Sequence, residues 1–258
     1  MKLAVAGAGG RMGRSLIEAI QADGGLSLAA ALDAPGSAAL GQPAGGVTVG
    51  ADVDAAVRAC EALIDFTRPE GTLRHLEACV RHGRAMVIGT TGFAPPQLQA
   101  IREAGQRIAI AFSPNFAVGV NVLFKLVDTA ARALGEGFDI EIVEAHHRQK
   151  VDAPSGTALR LGEIAALATG RRLAETAVHG RQGDVGERTG REIGFHAVRG
   201  GDIVGEHTVM FAGIGERLEL VVRSQSRMTY ASGAVRAAKW LRGRPAGVYD
   251  MADVLGLK

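Results

Sequence analysis

Short apolar segments alternate with helical segments through the first 112 residues of this 258-residue chain. Alternation of this kind is typical of βαβ units, whose strands are parallel and whose helices cover both faces of the sheet. It therefore predicts an α/β domain. The predicted strands are Lys2–Ala6, Leu28–Leu32, Ala62–Phe66, Ala85–Gly89 and Ile108–Phe112, and the predicted helices are Arg14–Ala22, Glu70–His82 and Pro95–Ala104.

The pattern changes after residue 115, and longer β segments follow. Two further helices and four strands predict a second α+β domain with an open mixed sheet. Residues 118–226 are assigned to this substrate-binding and oligomerisation domain, and residues 1–117 and 227–258 to the first domain. The predicted elements are Val120–Leu134, Asp139–Ala145, Gly156–Ala168, Gly194–Arg199, Ile203–Phe211 and Arg217–Ser224, with a last helix over Ala231–Leu241 that packs on the first domain.

Three connections in the second domain carry specific expectations. Gly200-Gly201 is typical of a two-residue hairpin, which would pair the strands on either side of it. Gly213-Ile214-Gly215 is expected to turn the next pair of strands. The charged, glycine-rich segment Arg171–Arg191 is predicted to be a mobile loop.

Composition excludes several classes of function. A net charge of +2 and an aromatic content of 4% argue against a nucleic-acid partner. No apolar segment approaches the ~20 residues that cross a bilayer, and no signal peptide is visible. The two cysteines, Cys60 and Cys79, are too few for a disulfide framework and favour a reducing compartment. A cytoplasmic protein without a membrane partner is the expectation.

A glycine-rich turn lies between the first strand and the first helix. Glycine lets the backbone approach a pyrophosphate closely, and the helix start supplies N–H groups and a positive dipole end. The spacing G-x-x-G-x-x-G departs from the usual G-x-G-x-x-G, so an ordinary strand–helix turn is the alternative. The candidate cofactor residues are Gly7, Ala8, Gly9, Gly10, Arg11 and Met12.

Three further strand ends favour a Rossmann-like dinucleotide site. Asp33 follows the second strand, where a carboxylate binds ribose hydroxyls and repels a 2′-phosphate. Its presence, with Ala34 and no arginine beside it, favours NADH over NADPH. Ligands bind at the carboxyl ends of parallel strands, although plain turn chemistry would also explain these residues. The remaining candidates are Gly89, Thr90, Thr91, Ser113, Pro114, Asn115 and Phe116.

The most informative segment runs from Glu144 to Thr157. It places two histidines and two cations within five residues, a costly arrangement unless an anion or solvent accompanies it. Ser155 is a suitable N-cap for a helix whose first N–H groups, at Gly156 and Thr157, would face an anion. With Lys150 nearby and histidine able to exchange protons near neutral pH, the segment predicts a site for a small carboxylate that gains a proton. A solvated cationic loop or, less well supported, a metal site built on His146 and His147 are the alternatives.

With these motifs in order, the sequence resembles the dihydrodipicolinate reductase (4-hydroxy-tetrahydrodipicolinate reductase) family essentially from end to end. The resemblance rests on five motifs and on the start of a helix. The motifs are Gly7–Gly13, Asp65-Phe66-Thr67, Gly89–Gly92, Ser113–Phe116 and Glu144–Thr157, and the helix begins at Gly233-Ala234-Val235.

The resemblance implies a reaction and a role for each site residue. The family reduces a cyclic unsaturated imine dicarboxylate to tetrahydrodipicolinate with NADH or NADPH, in diaminopimelate and lysine biosynthesis, as a metal-free homotetramer. His146 would be the general acid, and Lys150 would bind a substrate carboxylate and assist the proton transfer. His147, Gly156 and Thr157 would bind the dicarboxylate. Asp33 stands where many members have Glu followed by Arg, and Pro114 where some have Ala.

Two other functions remain open from the residues alone. A phosphorylating aldehyde dehydrogenase would need a nucleophilic cysteine, and neither Cys60 nor Cys79 lies in a matching motif. A non-catalytic NAD-binding sensor would not require His146, Lys150 and the helix start at Gly156 together.

Overall fold

The computed structural model describes residues 1–258, and the chain divides into two units. The first unit contains Met1–Val118 and Arg227–Lys258, and the second contains Gly119–Ser226. The first unit starts with β1 (Lys2–Ala6), α1 (Arg11–Gln21), β2 (Ser27–Leu32), β3 (Pro43–Ala44), β4 (Val47–Gly50), α2 (Val53–Ala59), β5 (Ala62–Asp65), α3 (Pro69–His82), β6 (Ala85–Ile88), α4 (Pro95–Ala104) and β7 (Ala109–Phe112).

The second unit follows without interruption and is built around one long strand. Its elements are α5 (Val118–Leu134), a 3₁₀ turn (Gly135–Gly137), β8 (Asp139–His146), α6 (Gly156–Ala168), α7 (Leu173–Thr176), β9 (Ala177–His179), β10 (Ile193–Arg199), β11 (Gly205–Ala212) and β12 (Arg217–Ser224). The chain then returns to the first unit with α8 (Met228–Leu241), β13 (Gly247–Tyr249) and α9 (Met251–Leu255).

The sheet of the first unit has the order β13-β7-β6-β5-β1-β2-β4-β3 and is parallel except for the β3–β4 pair. Both faces are covered, because Leu3 and Val5 of the central strand join one buried apolar cluster while Ala4 and Ala6 join another. A parallel sheet buried on both faces is the arrangement of a doubly wound dinucleotide-binding domain. The predicted Rossmann-like fold is thus confirmed.

The sheet of the second unit has the order β12-β11-β8-β10-β9. Strand β8 lies at its centre, parallel to β10 and antiparallel to β11. Side chains of β8 alternate between buried and half-buried, so Ile140, Ile142, Glu144 and His146 share the buried face. The predicted mixed sheet is confirmed, and the same alternation brings two polar side chains onto an apolar face.

The hairpin predicted at Gly200-Gly201 is wrong. Strands β10 and β11 do not pair with each other, because β8 lies between them. The two glycines instead cross the end of β8: Gly200 N–H donates to the carbonyl of His146 at 2.9 Å, and Arg148 N–H donates to that of Gly201 at 3.2 Å. The turn at Gly213–Gly215, by contrast, joins the antiparallel pair β11 and β12 as predicted.

The prediction of a loop throughout Arg171–Arg191 also needs correction. The segment contains α7 and β9, and β9 pairs in parallel with β10. Beyond β9, the guanidinium groups of Arg181 and Arg188 donate to the Glu141 carboxylate at 3.0 and 2.9 Å. These ion pairs attach the segment to the central strand, an effect that its glycine-rich composition did not reveal.

Candidate active site

The glycine-rich turn of the first unit has the backbone geometry that its sequence predicted. Gly7 has a φ of +73°, which favours glycine, and its carbonyl accepts a 3.0 Å hydrogen bond from Gly10 N–H. A Cβ on Gly13 would collide with the Gly7 backbone, so this glycine lets α1 approach β1 closely. Helix α1 begins at Arg11, three residues earlier than predicted, with Gly10 as its N-cap. Arg11 and Met12 therefore lie in the first helical turn, where backbone N–H groups have no partner within the helix.

Asp33 lies against this turn. Its Oδ2 accepts from Gly9 N–H at 2.8 Å, and its Oδ1 accepts from Ala34 N–H at 2.8 Å. Together with Gly9 and Gly10 it lines a cavity of about 680 Å³, to which Arg14 also contributes. The structure therefore brings Asp33 to the predicted phosphate-binding turn. Arg14 supplies a cation in the same cavity, which the sequence analysis missed because Arg14 lies on the helix and not beside Asp33 in the chain.

The ends of β6 and β7 carry the other cofactor candidates, and their polar side chains have different partners. Thr90 is 3% exposed, and its hydroxyl accepts from that of Thr72 at 2.8 Å. After β7, the Ser113 hydroxyl donates to the carbonyl of Asn115 at 2.9 Å, so this side chain shapes its own turn. Phe116 is 1% exposed and packs on Phe66, with ring centroids 5.5 Å apart.

The remaining cofactor candidates at these two ends have different degrees of exposure. Thr91 and Pro114 are exposed, Gly89 and Asn115 are half-buried, and Ala8 in the first turn is buried. Only some of the predicted cofactor residues thus offer an accessible side chain, and the others would act through backbone groups or through packing.

In the second unit, His146 is held by a buried carboxylate. Its Nδ1 lies 2.6 Å from Glu144 Oε2, and Glu144 is 1% exposed. Arg199 donates to both oxygens of the same carboxylate, at 2.8 and 2.7 Å. Burial raises the pKa of Glu144, but the hydrogen bonds from Arg199 and His146 outweigh it and lower that pKa below its usual value. Glu144 is therefore ionised at neutral pH, and His146 must donate from Nδ1, which leaves Nε2 for a ligand.

A second histidine, His207 on β11, packs against this group. Its ring lies edge-on to that of His146, with centroids 5.2 Å apart, and its Nε2 is 3.0 Å from the Ser155 hydroxyl. Burial lowers the pKa of His207 to about 4, so the ring is neutral at physiological pH. Burial also lowers the pKa of His146, and it outweighs the opposing effect of Glu144.

The helix start predicted at Ser155 is present. The Ser155 hydroxyl accepts from Ala158 N–H at 3.2 Å, and Ser155 N–H donates to Glu144 Oε1 at 3.1 Å. A Cβ on Gly156 would meet no atom within 4 Å, so open space adjoins this first residue of α6. Thr157 follows in that same turn of α6. The capping residue thus connects α6 to the carboxylate that holds His146.

His147 and Lys150 lie in the loop that follows β8. His147 Nδ1 is buried and has no hydrogen-bond partner, an unsatisfied group that a ligand could satisfy. Lys150 Nζ donates to both carboxylate oxygens of Asp152, at 2.8 and 2.9 Å, and Asp152 is 56% exposed. Arg199 also donates to the carbonyl of Asp152 at 2.6 Å, which attaches this loop to β10. The second unit thus brings His146, His147, Lys150 and the start of α6 to one end of β8.

Sequence reasoning missed Glu144, Arg199, His207 and Asp152 as members of this group. The alternation along β8 was the available signal for Glu144, because it places positions 144 and 146 on one face. Arg199 and His207 come from strands far along the chain, and only the strand order brings them here.

Comparison with known proteins identifies the family. Residues 1–116 match the family described as dihydrodipicolinate reductase, N-terminus, and residues 119–255 match dihydrodipicolinate reductase, C-terminus. The chain belongs to the dihydrodipicolinate reductase family. The chain is 57% identical to the 4-hydroxy-tetrahydrodipicolinate reductase of Cupriavidus metallidurans over 100% of both chains, and 58% identical to that of Cupriavidus necator, again over 100% of both. The family and the enzyme class predicted from the sequence, an oxidoreductase, are confirmed.

Solved structures agree on the fold of this reductase family member. A dipicolinate-bound dihydrodipicolinate reductase from Paenisporosarcina sp. TG-14 superposes with a TM-score of 0.81 at 24% identity, over 98% of each chain. GenD2 from gentamicin A biosynthesis, in complex with NAD, has a TM-score of 0.57 at 16% identity and covers all of this chain and 90% of its own. No helix is both long and apolar enough to span a bilayer.

Proposed function

We propose that 4-hydroxy-tetrahydrodipicolinate loses water to give the unsaturated cyclic imine dihydrodipicolinate, and that this reductase converts that dicarboxylate to tetrahydrodipicolinate with a hydride from the nicotinamide nucleotide and a proton supplied at His146. The observation that carries the assignment of residues is the geometry at the end of β8. A histidine fixed through Nδ1, an unsatisfied buried Nδ1 on His147 and the exposed Gly156 at the start of α6 lie together there. A bound nicotinamide nucleotide would supply the hydride, and the residues described here bind the substrate and handle the proton.

The two carboxylates of the substrate explain how His146 gains its proton. In the free protein, burial lowers the pKa of His146, so its Nε2 is largely unprotonated at neutral pH. A dianion bound at His147 and the helix start adds negative charge nearby, and an opposite charge within a few ångströms favours the protonated ring. Substrate binding thus protonates the acid that the reduced product needs, and Glu144 stabilises the imidazolium from the other side.

Lys150 binds one substrate carboxylate by exchanging its partner. In the free protein Asp152 neutralises Lys150 through an ion pair in which Asp152 is exposed and Lys150 is half-buried. Pairs of this kind contribute only ~0–1 kcal/mol, so replacement by a substrate carboxylate costs little. Asp152 therefore competes weakly with the substrate for Lys150.

We assign the nucleotide-binding site to the first unit. Gly7–Met12, Gly89–Thr91 and Ser113–Phe116 bind the nucleotide, mostly through backbone groups, and Asp33 binds the adenosine ribose. Asp33 favours NADH because a 2′-phosphate placed beside it would meet a carboxylate. Arg14 in the same cavity weakens this preference, so NADPH is expected to be used less well rather than rejected.

A homotetramer built through the sheet of the second unit is part of this proposal. Strand β12 lies at an edge of that sheet, where unpaired backbone groups need a partner or a cover. Val198 and Val221 lie on the sheet face opposite the buried residues Ile142 and Phe211, and they are 48% and 43% exposed, which an interface on that face would bury. Light scattering after size-exclusion chromatography should give four times the mass of one chain.

The test of function is an absorbance assay of NADH and NADPH oxidation, run in parallel with substrate made freshly by the preceding synthase. We expect turnover with both nucleotides and a higher kcat/KM with NADH. If the protein binds NADH but does not oxidise it in the presence of this substrate, the proposed reaction is wrong. A strong preference for NADPH would reject only the role given to Asp33.

A further inference from the structure

A second buried carboxylate, Asp65, ends β5 in the first unit. Its side chain has 0% exposure, and its Oδ2 lies 2.6 Å from Nδ1 of His75 on α3. The other oxygen accepts from the backbone N–H and the hydroxyl of Thr67, at 2.8 and 2.7 Å. Thr90 adds a longer contact of 3.4 Å. A carboxylate buried this deeply is stable only with such donors, and His75 contributes the shortest bond.

The two residues after Asp65 pack against two different glycine turns of the candidate cofactor site. A Cβ on Gly7 would lie 3.0 Å from the methyl group of Thr67. A Cβ on Gly89 would overlap the ring of Phe66. Segment 65–67 is therefore wedged between the turn after β1 and the turn after β6, and its position sets their separation.

We propose that the His75–Asp65 pair is a positioning device for the nicotinamide nucleotide, acting through Thr67 and Phe66 on the turns at Gly7 and Gly89. This inference rests on the assignment of those turns to the cofactor under the proposed function. His75 orients the Asp65 carboxylate, and the carboxylate holds Thr67 by two hydrogen bonds. Thr67 then holds its methyl group against Gly7, while Thr90 is held against Asp65 and Thr72.

The same helix offers a matched control. His82, near the end of α3, is hydrogen-bonded through Nε2 to Asp54 at 2.7 Å, so its loss removes a histidine–carboxylate bond of nearly equal length. Asp54 lies on α2 and touches none of the glycine turns. A purely structural role for His75 predicts similar behaviour of the two variants, whereas a positioning role predicts that they differ in nucleotide binding.

The experiment is a fluorescence titration of the full-length protein with NADH, without the second substrate, and with the melting temperature as a check on folding. We expect His75→Leu to raise the Kd for NADH about tenfold, since the loss of one bond to a buried charge corresponds to roughly that factor. His75→Asn should stay close to the unchanged protein, because its amide can donate from nearly the position of Nδ1. His82→Leu should leave the Kd unchanged.

An unchanged Kd in His75→Leu, or an equal rise in His82→Leu, would overturn the inference. If His75→Leu fails to fold, Thr67→Val decides the matter, because it keeps the methyl group on Gly7 and removes the hydroxyl, whose shortest bond is the 2.7 Å bond to Asp65. A raised Kd supports positioning, and an unchanged Kd rejects it. If these variants keep both their Kd for NADH and their turnover, only this inference is wrong. If NADH binding depends on His75 but the protein does not turn over the dicarboxylate, only the proposed reaction is wrong.

Discussion

Glu144 and His146 face the same side of β8, and the carboxylate of the first accepts a 2.6 Å hydrogen bond from Nδ1 of the second. Because a carboxylate cannot donate, this bond selects the tautomer of His146 and directs Nε2 to the ligand. It also adds negative charge beside the ring, which opposes the effect of burial on the pKa of His146.

Replacing Glu144 by glutamine should move the pH dependence of kcat. Without the carboxylate, burial acts unopposed and the pKa of His146 falls further. Since the proton donor is the charged ring, activity is lost as pH rises through that pKa, and the basic limb of the profile should move to lower pH. Glu192→Gln, which loses a half-buried partner of Arg181, is the control. A basic limb at its original position in E144Q would contradict this role of Glu144.

Substitutions of the adjacent residues His146 and His147 should change different kinetic constants. His146→Gln removes the proton donor and should lower kcat by ~10²–10⁴-fold, the usual contribution of general acid catalysis. His147→Gln removes a substrate contact and should raise KM by roughly tenfold with a smaller change in kcat. Steady-state rates over a range of dicarboxylate concentrations measure both. Equal effects of the two substitutions on kcat would show that the roles are not divided in this way.

Asp152 should compete with the substrate for Lys150. Lys150→Met is expected to raise KM and lower kcat. Asp152→Asn frees the ammonium group and should lower KM about twofold to fivefold, in keeping with the small energy of a partly exposed pair. Asp184→Asn, an exposed aspartate elsewhere in the second unit, is the control. A higher KM in the Asp152 variant would mean that Asp152 assists substrate binding.

Asp33→Asn should narrow the difference between the two nucleotides. The amide keeps an acceptor for Gly9 N–H but carries no charge, so a 2′-phosphate is no longer repelled, and Arg14 lies in the same cavity. We expect kcat/KM with NADPH to rise and that with NADH to fall modestly. The ratio of the two constants is the measurement, with Asp128→Asn as the control. No change in this ratio would remove Asp33 from nucleotide selection.

Glu141 should make the second unit sensitive to acid. Although burial raises its pKa, hydrogen bonds from Arg181, His196 and Arg188 lower it to about 2, from an ordinary value of 4.5. A lowered pKa stabilises the folded state above pH 4.5, and this stability is lost as pH falls toward 2. After allowance for solvent screening, the contribution is ~1–2 kcal/mol. Urea unfolding measures the free energy of unfolding at each pH. Between pH 7 and pH 3 this free energy should fall less for Glu141→Gln than for the unchanged protein, and parallel curves would contradict the argument.

Local sequence signals predicted the bounds of an element well where a capping residue or a proline marks its start. Helix α6 begins after its Ser155 cap and α4 begins at its proline, and both have the predicted bounds. The same local reasoning failed at Gly200-Gly201, because a turn signal contains no information about a third strand inserted between its neighbours. Strands β3, β9 and β13 were missed because each has only two or three residues, and the four-residue β4 was missed as well.

In the candidate site, too, residues close together in the chain were predicted, and residues brought in from distant strands were not. His146, His147 and Lys150 occur within five residues, so one motif predicted them together. Arg199 and His207 reach the site only through strand pairing, as Arg199 lies opposite His146 and His207 opposite Glu144. Residues brought in by tertiary pairing leave no mark in the sequence around His146.

The central position of β8 has a consequence for synthesis on the ribosome. Ile140 pairs with Ile193 on one side and with Phe211 on the other, so both neighbours of β8 are translated long after it. Until they emerge, the strand has unpaired backbone on both edges, and contacts between such distant positions form slowly. The group around His146 also needs Arg199 from β10, which donates to Glu144, and His207 from β11, which packs on the His146 ring. The nascent second unit therefore has no assembled proton donor until translation has passed β11.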